Sequence, residues 1–183
     1  SATDTFDKES FITISTPFYT ATLTNKSGGS FVNYVLEGEN SGKLKYIGGY
    51  DDDGSFQSDL PVSIIMPSQE NCMPCLAYYD DRLDKYQFIN QSFTLLNFSS
   101  VVDTVYLDWG DTIELKYALI GAGGKELIGK SVVFSADEYI NKHFFEINDD
   151  NFDYSNNLEL LWSGGLRPSE EKEDEDVQYG SGI

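Results

Sequence analysis

The feature that most constrains this chain is a two-residue rhythm of apolar side chains. Ile113, Leu115, Tyr117 and Leu119 alternate with Thr112, Glu114, Lys116 and Ala118, and Tyr19, Ala21 and Leu23 alternate with Thr20, Thr22 and Thr24. Only an extended strand puts every second side chain on one face, so each run predicts a strand with one buried and one wet side. A longer stretch, Glu126 to Leu166, holds three more runs rich in aromatic and β-branched residues: 126–134, 139–147 and 158–162. Each is stopped by Gly, Asn, Asp or Ser, which predicts consecutive strands of one antiparallel sheet, with Tyr139 opening the second strand.

The rest of the chain follows the same pattern. Residues 1–10 are polar and predict a loose arm. Ile12 and Ile14 alternate with Thr13 and Ser15 up to Pro17. The turn Asn25-Lys26-Ser27-Gly28-Gly29 carries two glycines able to take positive φ, and Phe31 to Leu36 returns as a strand with Val32, Tyr34 and Leu36 on one side. From Glu37 to Ser58 the chain is rich in Gly, Asp and Ser, with an apolar island at 44–47 and a loop predicted at 48–54. Val62 to Met66 predicts a short strand, as do 86–89, 93–98 and 101–107. Gly121-Ala122-Gly123-Gly124 predicts a hairpin loop. No long helix is expected, and the 183 residues suit one domain, 11–168, ahead of an acidic tail, 169–183.

Charge narrows the function classes. Thirty-one acids against twelve bases give −19. No stretch collects enough Lys or Arg to neutralise phosphates, which disfavours nucleic acid and docking on anionic lipid by charge. Self-repulsion that keeps the chain soluble, or a salt-rich habitat, would account for the acidity. No run of 18 apolar residues spans a bilayer, and Ser1-Ala2-Thr3-Asp4 has the look of a trimmed start, so a missing leader says little.

The sharpest local motif is Cys72-Met73-Pro74-Cys75. A redox dithiol should open a helix in a βαβ unit, and a zinc site needs two further thiol or imidazole ligands, where only His143 is on offer. A local disulfide, Cys72 to Cys75, or two inert thiols fits better. His143 shares a strand face with Tyr139, Phe145 and Ile147, which suits a packed histidine more than a catalyst. Asp51, Asp52 and Asp53 lack the calcium-loop spacing. No nucleophile elbow occurs, and among so many acids two close carboxylates carry no information. No catalytic, metal or cofactor residue is therefore expected. Trp109 or the pair Tyr78-Tyr79 could line a groove for a sugar or peptide. The N-x-[ST] sites at Asn25, Asn90 and Asn97 matter only in a glycosylating pathway.

The run Ile14-Ser15-Thr16-Pro17-Phe18-Tyr19-Thr20-Ala21-Thr22-Leu23-Thr24-Asn25-Lys26-Ser27-Gly28-Gly29, followed by Phe31 to Leu36, resembles the start of the periplasmic domain of the YidC membrane-protein insertases. Lys130, Phe134 and Asp137-Glu138-Tyr139 are similar to a later strand, turn and aromatic of that domain. Leu160-Leu161-Trp162-Ser163-Gly164-Gly165-Leu166-Arg167-Pro168-Ser169-Glu170, with Tyr179 beyond, resembles its Trp–Gly-Leu–Glu segment. The likeness covers about half the chain; residues 37–110, with Cys72 and Cys75, depart from it.

This resemblance implies an antiparallel β-sandwich of the supersandwich, mutarotase-like kind. It also implies a monomeric periplasmic domain of an inner-membrane protein, anchored by helices outside this chain. The implied role is accessory and non-enzymatic, through contact with Sec translocon components or nascent membrane proteins. Two rivals remain: a sugar-binding or mutarotase-like sandwich, which should show two or more His among acids, and an extracytoplasmic adhesion or structural module.

Overall fold

The computed structural model describes residues 8–40, 43–51, 53–66, 71–98, 103–148 and 158–167. Within them the chain is all-β, with sheets that are antiparallel except where Thr13 to Ser15 run parallel to Thr104 to Tyr106, packed in a sandwich-like arrangement, and a single 3-10 turn at Ala122–Gly124. The first meander is β1 (Phe11–Ser15), β2 (Tyr19–Thr24) and β3 (Ser30–Leu36). Two hairpins follow: β4 (Glu39–Asn40) with β5 (Lys43–Leu44), and β6 (Ile47–Tyr50) with β7 (Phe56–Pro61). Next come β8 (Ile65–Met66), the hairpin β9 (Cys75–Asp80) and β10 (Lys85–Phe88), and the short β11 (Thr94–Leu95) and β12 (Thr104–Tyr106). The long strands β13 (Thr112–Ile120), β14 (Glu126–Ser135) and β15 (Asn141–Ile147) precede β16 (Leu158–Leu161) and β17 (Gly165–Leu166).

Two four-stranded sheets carry the core, in the orders β12-β1-β2-β3 and β11-β13-β14-β15. The inward residues of β1 and β2 (Ile12, Ile14, Tyr19, Ala21, Leu23) meet those of β13 and β14 (Leu115, Tyr117, Ile128, Val132, Phe134). All of them are buried. The two-residue rhythm therefore does what the sequence promised, since one face of each strand is removed from water. Hydrogen bonds cross between the sheets as well: the Tyr19 hydroxyl donates to the Ser135 carbonyl at 3.2 Å.

Several expectations change in detail. Val32 does not share the inward face of β3. A β-bulge pairs Thr22 with Asn33 and Leu23 with Phe31, so Val32 is the extra residue and Phe31 becomes the buried one. The run 158–162 does not join the sheet of β14 and β15. It forms β16, which pairs with β9 in the three-stranded order β10-β9-β16. Strand pairing is a choice between partners distant in sequence, which local pattern cannot make. Tyr139 lies in the turn, and its strand begins at Asn141. The predicted loop at 48–54 is partly strand. Gly48 and Gly49 sit within β6, where a Cβ on Gly49 would stand 2.2 Å from the Pro61 carbonyl oxygen, so only glycine lets these strands approach.

Residues 8–10 are tied to the sheet. The Thr24 hydroxyl donates to Glu9 at 2.6 Å, and the Ser10 amide donates to Asn25 Oδ1 at 2.9 Å. Residues 1–7 and the predicted tail at 169–183 lie outside the described residues.

Candidate functional site

The sandwich stays closed where β14 faces β2 and opens beside β3. There the chain leaves a cleft of about 340 Å³. One wall is β3, which supplies Phe31, Tyr34 and Leu36; Ile64 and Ile65 form the next. Tyr139 and Asn141 come from the turn and start of β15, Trp162 and Leu166 from the segment after β16, and Tyr46 stands between β5 and β6. The lining is thus aromatic and aliphatic with one amide. Tyr139, Trp162 and Leu166 are exposed, so the cleft is open to solvent.

Its few polar groups are committed to one another. The Tyr34 hydroxyl donates to the Tyr139 carbonyl at 2.9 Å, and the Tyr46 and Tyr139 hydroxyls lie 3.2 Å apart. Burial, with the nearby Tyr19, pushes the Tyr34 phenol well above its ordinary range. Burial and the Tyr46 hydroxyl push Tyr139 up to about 12. Both phenols are therefore neutral at physiological pH and serve as contact surface. His143 sits behind Asn141, 2.8 Å from its Oδ1, edge-on to the Phe31 ring at 5.6 Å. Burial, then the nearby Lys130, lowers His143 to about 3, so it is neutral and its Nε2–H donates to Asn141. Its Nδ1 has no hydrogen-bond partner among the described residues.

Lys130 is a second buried group, carried by β14. It falls on the inward side between Ile128 and Val132 and is 2 % exposed. Its ammonium donates to the carbonyls of Ser27 and Gly29, each at 3.1 Å, and of Pro74 at 2.9 Å, and lies 5.0 Å from the centre of the Phe145 ring. Burial lowers its pKa to about 7. Lys130 thereby pins the 25–29 turn and the Cys72–Cys75 loop onto β14. The turn needs both of its glycines, since φ is +68° at Gly28 and +89° at Gly29, and a Cβ on Gly29 would lie 2.7 Å from the Tyr117 ring.

Cys72 and Cys75 form a disulfide with a Cα–Cα distance of 4.5 Å, and both are fully buried. The bridge shapes a plug: the Met73 amide donates to Ser30 Oγ at 2.9 Å, and the Phe31 amide to the Met73 carbonyl at 3.0 Å.

The other singled-out residues disperse. Tyr79 is hydrogen-bonded to Asp84 and belongs to the β9–β10 hairpin, whereas the cleft is lined from other elements. Trp109 does not line the cleft either, but its ring stacks edge-on to Phe18 at 5.0 Å, and Phe18 lies 4.8 Å from Tyr139. Asp51 accepts the amides of Ser55 and Asp53 and the side chain of Gln57, a turn cap whose hydrogen bonds, Ser55 first, lower its pKa. No metal-ligating cluster occurs among the described residues. Asn25 is buried and its amide donates to the Lys8 and Phe93 carbonyls, so a glycan there would break both bonds.

Sequence reasoning missed Phe31, Tyr34, Tyr46 and Trp162 as cleft residues. Each reads as ordinary strand or loop aromatic until strands distant in sequence are brought together. No protein-family model, curated protein or solved structure matches this chain.

Proposed function

We propose that this chain is a non-catalytic periplasmic domain of a YidC-type membrane-protein insertase, and that the cleft beside β3 is its contact surface for partner proteins or incoming chains. The observation that carries the reading is the chemistry of the cleft: an open, aromatic-lined concavity whose polar groups are bonded among themselves, suited to holding apolar side chains. The order of the resembling segments supports it, because the returning strand Phe31 to Leu36 and the Trp162 to Leu166 segment both contribute side chains to this cleft. A sugar-processing reading is the weaker one. The imidazole of His143 is neutral, turned to Asn141 and unable to act as a proton donor near neutral pH.

The test uses the full reading frame, which should encode one membrane helix upstream of this domain and several downstream. In that full-length protein a photo-crosslinker at Trp162 should capture arrested nascent membrane proteins or Sec translocon components. A reading frame without membrane helices, or crosslinks to neither class, would overturn the proposal.

A further inference from the structure

The two core sheets are bounded by the edge strands β12, β3, β11 and β15. Three of these edges are short or covered. β11 has two residues and β12 three. The outer side of β3 is taken up by the chain at 62–64: the Leu36 amide donates to the Val62 carbonyl and the Ile64 amide to the Tyr34 carbonyl, each at 2.9 Å. β15 differs. It is seven residues long, carries no proline and keeps an unbroken register with β14.

The Asn148 amide donates to the Leu127 carbonyl at 2.8 Å, which sets the phase of the ladder between β14 and β15. Continued in steps of two, that phase turns the backbone groups of Lys142, Phe144 and Glu146 toward β14. Those of Asn141, His143, Phe145 and Ile147 then point to the outer edge, where none has a backbone partner among the described residues. An edge of this kind is a template for another strand.

The side chains select which strand. Lys142, Phe144 and Glu146 are exposed on the solvent face, and neither Lys142 nor Glu146 forms an ion pair among the described residues. In an antiparallel pairing of two β15 strands about a two-fold axis, the outward-turned odd residues must bond one another, so both solvent faces lie on the same side. An axis through Phe144 sets Lys142 of each copy opposite Glu146 of the other and Phe144 opposite itself. These are the closely spaced, non-hydrogen-bonded sites, where facing side chains touch. Moving the axis to His143 or Phe145 puts Lys142 or Glu146 against Phe144. Moving it to Lys142 or Glu146 sets like charges face to face. Only the axis at Phe144 is complementary in charge.

We infer that β15 pairs with β15 of a second copy of this chain about an axis through Phe144, joining two four-stranded sheets into one continuous sheet. The inference is independent of the contact role proposed above and departs from the monomer that the insertase resemblance implies. Each copy carries −19, so association needs enough salt to screen long-range repulsion, whereas the Lys142–Glu146 contacts act at short range.

Sedimentation of the intact chain at about 0.15 M salt, where charges are screened beyond about 8 Å, should show a reversible monomer–dimer equilibrium. Lys142→Glu alone and Glu146→Lys alone each set like charges opposite one another twice, and each should weaken the dimer about tenfold. Net charge by itself would move these two variants in opposite directions, so weakening in both marks the pairing. An equimolar mixture of the two should restore the dimer, because opposite charges then meet at both positions, and the recovery shows that both variants are folded. Exchange of the His143 and Phe145 amides should slow as the concentration rises, which locates the contact on this edge. A chain that stays monomeric to about 1 mM would overturn the inference. So would a dimer indifferent to both reversals, or a monomer in which an unrelated extended peptide protects those amides, since the edge would then serve a foreign strand.

Discussion

The closed and open halves of the space between the sheets use the same kinds of side chain to opposite ends. In the closed half Tyr19, Leu23, Phe31's inner edge, Ile128 and Phe134 touch one another, and each is at most 2 % exposed. In the open half Tyr139, Trp162 and Leu166 keep from 40 % to 72 % of their surface in water. Composition does not separate the two. What differs is that β14 lies across β2 in the first case, while in the second the chain turns at Tyr139 and leaves Tyr139, Trp162 and Leu166 open to water. Aromatic content therefore marks a sheet protein, and the course of one turn converts part of its core material into a surface for binding.

The contrast can be broken by truncation. Phe134→Ala, in the closed half, should cost about 3–5 kcal/mol in chemical denaturation, because nothing can collapse into the space between two paired sheets. A loss under about 1 kcal/mol would mean that the closed half is not packed as described.

Lys130 sharpens it, as a polar group inside the closed half. Lys130→Ala strands three carbonyls and leaves a void, with an expected cost of about 3 kcal/mol. Its pH dependence is distinctive. The folded pKa of about 7 lies below the ordinary lysine value of 10.5, so between them the unfolded chain holds more protons and stability rises with pH. The penalty is fully present below pH 7 and relieved toward pH 10. Above that, Tyr19, raised by burial to about 12, reverses the trend, because its folded form keeps its proton longer. Denaturation midpoints at pH 7 and 9.5 should differ in the unsubstituted chain, and the rise should vanish in Lys130→Met.

Cys72→Ala with Cys75→Ala should cost about 2 kcal/mol, small because the bridge closes so short a loop. Its effect should spread to the cleft, since the Met73 carbonyl holds the Phe31 amide. Amide exchange at Phe31 that is unchanged in this variant would disprove the link.

The smallest stability effect belongs to the open half. Trp162→Ala should shift stability by about 1 kcal/mol or less, as its ring is already partly wet, yet it should weaken binding of apolar peptides several-fold. Equal losses in Trp162→Ala and Phe134→Ala would erase the distinction between the halves.

How much of this was legible follows from what each signal measures. Alternation at Tyr19–Leu23 and Ile113–Leu119 located the strands and their inward faces, because side-chain direction along a strand is a local property. The bulge at Val32 was not legible, since an extra residue is defined only against the partner strand. Nor was the partnership of β16 with β9, which joins segments some eighty positions apart in the chain. Cys72 and Cys75 stood out by spacing alone. Lys130 entered the sequence reading only through the YidC-like run, and its burial was not legible, since its three acceptors come from two separate turns.

By itself, then, the sequence determined an antiparallel all-β chain with glycine-bearing turns and a short cysteine loop, because backbone period and turn chemistry act between neighbours. The tertiary structure alone decided that a cleft opens beside β3 and that Tyr34, Tyr46, Tyr139 and Trp162 meet there. It also decided that a lysine, and not another aliphatic residue, fastens the loop beside them. Those outcomes depend on which distant strands pair and where the sheets part, and no local rule carries that information.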